Sequence, residues 1–123
     1  MNNAFVVLLM IFLHIVADYN LQGWLATAKT KDFWEQNAPE KLYKKDYKYA
    51  LLMHSISWTF LIMLPIAYVM DFKINGSFII CFLLNVYFHA NIDDLKANEK
   101  TISLVTDQKC HLIQIFITAV MLL

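Results

Sequence analysis

The sequence predicts an all-α fold: a four-helix transmembrane bundle, threaded up and down, with an interfacial segment between its first two helices. Three observations predict it. Hydrophobic residues make up 59% of the 123 and charged residues only 16%, a more apolar balance than soluble domains carry. The apolar residues fall into four runs, at about 4–17, 49–70, 77–89 and 112–123. The single long polar stretch, 26–48, is rich in lysine and aromatic residues, the composition of a segment lying at headgroup level. Only the second run alone reaches the ~20 residues of a membrane span. The others reach it by extending through ionisable residues, to about Gln22, to about Lys96 and back to about Thr101. Length and continuity give one membrane domain, 1–123. The alternative is a very apolar soluble four-helix domain.

Helix one is expected over about 4–25, capped by Asn2 or Asn3. No Lys or Arg precedes its apolar run and no small-residue cleavage site ends it, so a retained helix is expected rather than a secretory signal. Asn37-Ala38-Pro39 marks a turn within the polar segment. Helix two is expected over about 41–70, with Pro65 as a potential kink. A short turn at 71–76 leads to helix three, about 77–97. Asn98–Lys100 breaks the pattern before helix four, about 101–123. Cys81 and Cys110 would begin helices three and four, at opposite ends of an up-and-down bundle, too far apart for a disulfide.

Lysine placement orients the bundle. Nine of the ten lysines lie at or beside the end that holds the 26–48 segment, and only Lys73 lies at the other end. The positive-inside rule then puts the lysine-rich end in the cytoplasm of a bacterial inner membrane and both termini outside. The formal net charge is zero, so bulk attraction to nucleic acid is not expected.

The chemistry lies in three pairs: His14 with Asp18, His89 with Asp93, and Asp107 with His111. Each joins an imidazole and a carboxylate four positions apart, which on a helix puts both on one face. His54 begins the remaining span. In an up-and-down bundle all four sets meet at one depth near the lysine-rich end, where facing helices can build a buried site. Ionisable residues inside spans are expensive and usually functional. His14, Asp18, His54, His89, Asp93, Asp107 and His111 exceed the four ligands of one zinc, so one or two divalent ions sharing a carboxylate are expected. Imidazole with carboxylate suits zinc first, then iron or manganese. Asp18 or Asp107 is the candidate catalytic carboxylate. Lys96, seven positions after His89, is the candidate contact to an anionic substrate. Gln22 and Gln108 are candidates to support ligands or bind substrate.

Bland alternatives stand beside these. A lone helical histidine is usually a hydrogen-bonded core residue, and an isolated Asp–His pair is usually local. A metal-free polar network therefore remains the alternative to a metal centre. Cys110 could ligate beside His111 but reads as packing, as does Trp58. Ser55 and Ser57 read as partners of backbone carbonyls. Asp94, Glu99 and Lys100 read as a solvated helix end, and the loop lysines as contacts to anionic headgroups.

The segments His14-x-x-Ala17-Asp18-x-x-Leu21-Gln22-x-Trp24, His54, His89-x-x-x-Asp93-x-Leu95-Lys96-Ala97 and Asp107-Gln108-x-x-His111 resemble, in the same order, a small integral membrane family of bacteria and phages known as a domain of unknown function. That family looks distantly similar to membrane-bound metal-dependent hydrolases and zinc phospholipase C-like enzymes. The resemblance implies a metallohydrolase site at the seven His and Asp residues and supplies no substrate. The expected function is hydrolysis of a phosphoester: a lipid headgroup, a lipid-linked phosphate or a nucleotide. The expected partners are membrane lipid, an anionic small-molecule or lipid substrate, and a second copy of the chain. The rivals are a non-enzymatic membrane factor acting on a host partner and a proton or metal carrier. A carrier needs polar groups through the full membrane depth, and beyond the cluster only Asn85 and Thr118 stand out.

Overall fold

The computed structural model describes all of residues 1–123 and is all-helical. The long helices are α1 (Asn3–Val16), α4 (Asp46–Val69), α5 (Gly76–Ala97) and α6 (Leu104–Leu122). Two short helices, α2 (Leu25–Ala28) and α3 (Lys31–Asn37), and a 3₁₀ turn (Lys41–Tyr43) fill the polar segment. Side-chain caps start three of the long helices: Asn2, Asn75 and Ser103 accept from the amides of Phe5, Phe78 and Thr106, satisfying donors the helix leaves free. α4 continues through Pro65 to Val69.

Helix one ends earlier than its apolar pattern predicts. After Val16 the backbone widens into a π-helical stretch, Ala17–Leu21, and stops. Gly23 then adopts φ +56°, a left-handed conformation that closes a helix and that glycine takes without Cβ strain. Residues 24 and 25, expected inside helix one, instead lead into α2.

α4 packs on both α1 and α5, α5 on α6, and α6 returns to α1. Beneath the polar layer the interior is a close-packed apolar cluster that includes Val6, Met10, Ile62, Ile66, Ile115 and Ala119. The outside is equally apolar: Phe5, Leu8 and Phe12 on α1, Leu83 and Tyr87 on α5, and Phe116 and Val120 on α6 are exposed. Twelve of the thirty buried residues are polar or charged. Apolar surface outside and polar side chains inside suit a hydrocarbon solvent, since water would favour the reverse. Three helical stretches, Asn3–Leu21, Lys41–Val69 and Gly76–Ala97, are long and apolar enough to cross a membrane. α6 carries Asp107, Gln108, Lys109 and His111 in its first two turns, which makes it the most polar of the long helices at one end.

Asn98 ties the polar segment to the end of α5. Its Nδ2 donates to the Lys29 carbonyl at 3.0 Å and its Oδ1 accepts from the Lys31 amide at 2.7 Å. Exposed pairs Lys31–Glu99 (3.2 Å) and Lys100–Asp32 (2.9 Å) flank it. The hydrogen bond to Glu99 holds the Lys31 ammonium pKa above its usual value.

The exposed face of α5 gives a direct test of its surroundings. Leu83→Lys should weaken insertion of α5 by about 3 kcal/mol if that face meets lipid, read as loss of the chain from carbonate-washed membranes. A face that meets water would accept the lysine with no change.

Candidate metal centre

The C-terminal half of α5 and the starts of α4 and α6 meet the end of helix one, and their ionisable side chains converge. His89, Asp107 and His111 are fully buried, and Asp93, His14 and His54 nearly so. Two groupings have ligand atoms close enough to share an ion: Asp18 with His54 and His89, and His89 with Asp93 and His111. The expected meeting of α1, α4, α5 and α6 side chains at one depth is therefore present in the geometry.

His54 Nε2 lies 3.1 Å from His89 Nε2, 3.3 Å from Asp18 Oδ1 and 3.4 Å from Asp93 Oδ2. His89 Nε2 lies 3.9 Å from Asp18 Oδ1 and 3.7 Å from Asp93 Oδ2. Zinc bonds of 2.0–2.1 Å in a tetrahedron imply ligand–ligand separations of about 3.3 Å, close to the three made by His54; the two from His89 to the carboxylates are wider. Asp93 also faces the second grouping: its Oδ1 lies 3.2 Å from His111 Nε2, which is 3.4 Å from Asp107 Oδ1. Asp93 thus presents one oxygen to each set, the arrangement of a shared carboxylate.

Hydrogen bonding separates the two oxygens of the other acids. Asp18 Oδ2 accepts from Gln108 Nε2 at 3.3 Å, and Asp107 Oδ2 accepts from Gln108 Nε2 at 2.9 Å and Lys96 Nζ at 3.3 Å. Asp18 Oδ1 and Asp107 Oδ1 are buried with no hydrogen-bond partner. Both face imidazole nitrogens. A buried carboxylate oxygen without a donor is costly, and a cation held between it and the imidazoles removes that cost. The donor set, two or more imidazoles with two carboxylates and no thiolate, fits zinc, iron or manganese. Cys110, half-buried, belongs to neither grouping.

Two ring orientations follow from donor chemistry. Trp58 Nε1 can only donate, and it lies 2.9 Å from His14 Nδ1, so His14 Nδ1 carries a lone pair. The 3.6 Å approach of that nitrogen to Asp18 Oδ2 is then not a charge pair, which corrects the pairing expected from the four-residue spacing. His14 is held by Trp58 and Asp18 turns to His54 and His89. His111 Nδ1 donates to Gln114 Oε1 at 3.0 Å, leaving Nε2 to face Asp93 and Asp107. Histidine ligands usually have their second nitrogen fixed in this way. Trp58, expected as packing alone, also stacks on His89 with centroids 4.1 Å apart, and His89 stacks on His111 at 4.1 Å.

Other side chains depart from expectation. Lys29 is buried, and its ammonium lies 2.7 Å from Asp93 Oδ2; its place among the loop lysines expected to contact anionic headgroups is corrected. Lys96 pairs with Asp107 rather than standing free. Gln22 donates to the Asp18 backbone carbonyl at 3.1 Å, so it braces the π-helical turn and touches none of the carboxylates, whereas Gln108 bridges two of them. Ser55 and Ser57 donate to backbone carbonyls as expected. Asp94 accepts from Asn98.

No family model, curated protein or solved structure matches the chain.

A shallow cleft of about 440 Å³ between helix one and α6 reaches the centre from the side; Ile11, Ile15, Tyr19 and Leu112 line it with His14 and Gln108. Deeper than His111, Gln114 Nε2 approaches Asn85 Oδ1 at 3.3 Å, and Asn85 Nδ2 donates to Thr118 Oγ1 at 2.7 Å.

Removing Lys29 should expose the cost of burying Asp93. Lys29→Met leaves that carboxylate without its ammonium and should destabilise the metal-free protein by about 3–5 kcal/mol, measured by thermal unfolding in detergent with a chelator present. Added zinc should recover much of the loss by supplying the missing charge.

Proposed function

We propose that the chain is a four-helix transmembrane bundle of the bacterial inner membrane, threaded up and down, and a metal-dependent hydrolase of phosphoesters. Both termini face outside and the centre faces the cytoplasm, on the side that carries nine of ten lysines. The carrying observation is the pair of buried carboxylate oxygens, on Asp18 and Asp107, that face imidazole nitrogens at 3.3 and 3.4 Å and receive no hydrogen bond from any other group. His54, His89, Asp18 and Asp93 would hold one ion. His111, Asp107 and the second oxygen of Asp93 would contribute to another. Zinc is the first choice. When bound, such an ion acts as a Lewis acid and brings the ionisation of water toward neutral pH.

The chain's own residues do the rest. With Oδ1 toward the ion, Asp18 would accept the proton of the attacking water on Oδ2, which only Gln108 holds, at 3.3 Å, while Asp107 Oδ2 is engaged by both Lys96 and Gln108. Lys96, partly exposed, can shift from Asp107 to a substrate oxygen. Gln108 orients Asp18 and Asp107 together. Trp58 holds the His14 ring at the edge of the cleft, and the apolar walls there restrict water. The lateral cleft favours a lipid phosphoester over a nucleotide.

A specific observation favours a second reading. Lys29 on Asp93 and Lys96 on Asp107 supply two positive charges against three carboxylates, so a metal-free polar network needs only one protonated imidazole for neutrality. Such a network would suit a non-enzymatic membrane factor acting on a partner. The carrier reading has less support: the buried ladder Gln114–Asn85–Thr118 gives way to the apolar cluster of Ile62, Ile66 and Ala119.

Elemental analysis of detergent-purified protein should find one or two transition-metal ions per chain. His89→Ala should reduce that content severalfold, and Asp71→Asn at the opposite end should not. Metal-free protein after supplementation would favour the polar network. Where metal is found, wild type and Asp18→Asn are compared on membrane lipids and nucleotides, with products read by mass spectrometry. The variant should stay folded and lose about 10²-fold or more in turnover.

Topology is tested separately. Lys41→Cys should resist an impermeant thiol reagent applied to intact cells and react once the membrane is opened. Rapid labelling from outside would reverse the orientation.

A further inference from the structure

The polar segment forms a second, half-open cavity, away from the metal centre, of about 710 Å³. Lys41, Lys44, Lys45 and Lys48 line it, with Trp34 and Tyr47 as aromatic walls. Lysine ion pairs in this chain involve Lys29, Lys31, Lys96 and Lys100; the four cavity lysines have none. Lys31 also borders the cavity, but Glu99 neutralises it and its ammonium lies 5.3 Å over the Tyr47 ring. Glu35 is the only acid among the lining residues. Four unpaired ammonium groups around one hollow repel each other, and that repulsion is relieved by an anion.

We propose that this cavity binds the phosphate headgroup of an anionic phospholipid. Lysine recognises phosphate as a point charge with three donors, and four around one hollow can hold a phosphate diester from several sides. The walls indicate a lipid rather than a free phosphate. Trp34 is fixed by donating from Nε1 to the Ala28 carbonyl at 2.7 Å and stacks on Tyr43. Trp24 and Phe33 pack edge-on around it. Leu42, Tyr43, Tyr49 and Trp24 are exposed beside the lysines, giving glycerol and the first acyl carbons an apolar landing. The cavity also sits where the Lys41–Val69 span begins, at the depth of a headgroup. The inference rests on the membrane placement proposed above and needs neither a bound metal nor hydrolysis.

The test is native mass spectrometry of the full chain in detergent, titrated with phosphatidylglycerol or phosphatidylcholine while a chelator is present. One phosphatidylglycerol should bind in preference to phosphatidylcholine. Each lysine near a lipid surface is worth about fivefold in affinity, so Lys44→Gln with Lys48→Gln should weaken that binding about 25-fold. Lys73→Gln, at the opposite end, should leave it unchanged. Lys41→Gln with Lys45→Gln is the second double variant, used if the first fails to fold. Equal binding of the two lipids, or binding unmoved by either double variant, overturns the proposal. Displacement of the lipid by millimolar inorganic phosphate also overturns it and makes a soluble phosphate the ligand. Because the chelator removes metal, failure here leaves the hydrolase reading untouched. A chain that washes off membranes with carbonate would instead fail the membrane placement itself.

Discussion

Asp93 is the constraint around which the rest of the interior is arranged. A carboxylate 1% exposed cannot persist as an anion without compensating charge and donors. Four side chains from three other parts of the chain and its own helix meet it: Lys29 from the polar segment, His54 from α4, His89 from α5 and His111 from α6. Meeting those demands dictates much else. α6 must start close enough to α5 for His111 to reach, and the polar segment must fold back over the end of the bundle. Asn98 holds that segment in place through the Lys29 carbonyl and the Lys31 amide.

A second layer of polar side chains keeps the imidazoles in fixed orientations. Gln114 sets His111, Trp58 sets His14, and Gln108 joins Asp18 to Asp107. These contacts leave particular atoms without partners instead of distributing the shortage evenly. The shortage falls on Asp18 Oδ1, Asp107 Oδ1 and His89 Nδ1 within the cluster, and on Gln22 Oε1 and Thr59 Oγ1 outside it. A network evolved only to satisfy itself would close such gaps, since each costs about 1–3 kcal/mol when left open. Three of the five lie in the cluster of imidazoles and carboxylates, which could hold a metal ion.

Much of this was legible in the residues themselves. Apolar runs located the helices, and the caps Asn2 and Ser103 follow the usual preferences for helix starts. The four-residue spacing of His and Asp marked the right side chains because helix periodicity places them on one face before any packing is known. It did not foretell partners. Asp18 turns from His14 to His54 because Trp58 claims the His14 lone pair, an event between helices 44 residues apart. Gln114 was visible as a polar residue three positions after His111, a signal overlooked among apolar neighbours. Lys29 was hidden by its company: among so many loop lysines nothing local distinguishes the one that enters the interior. Gly23, by contrast, carried a readable stop signal for helix one, outweighed by the apolar pattern on either side.

The Lys29–Asp93 bond links positions 64 residues apart, and that separation has a meaning for how the chain is made. At roughly 5–20 residues per second of synthesis, several seconds pass between the appearance of the lysine and that of its carboxylate. During that interval Lys29 has no Asp93 to pair with, and its ammonium stays hydrated beside the newly made helix. Once α5 arrives, the same ammonium leaves water for the Asp93 carboxylate. A lysine made early thus latches the polar segment to a helix made later.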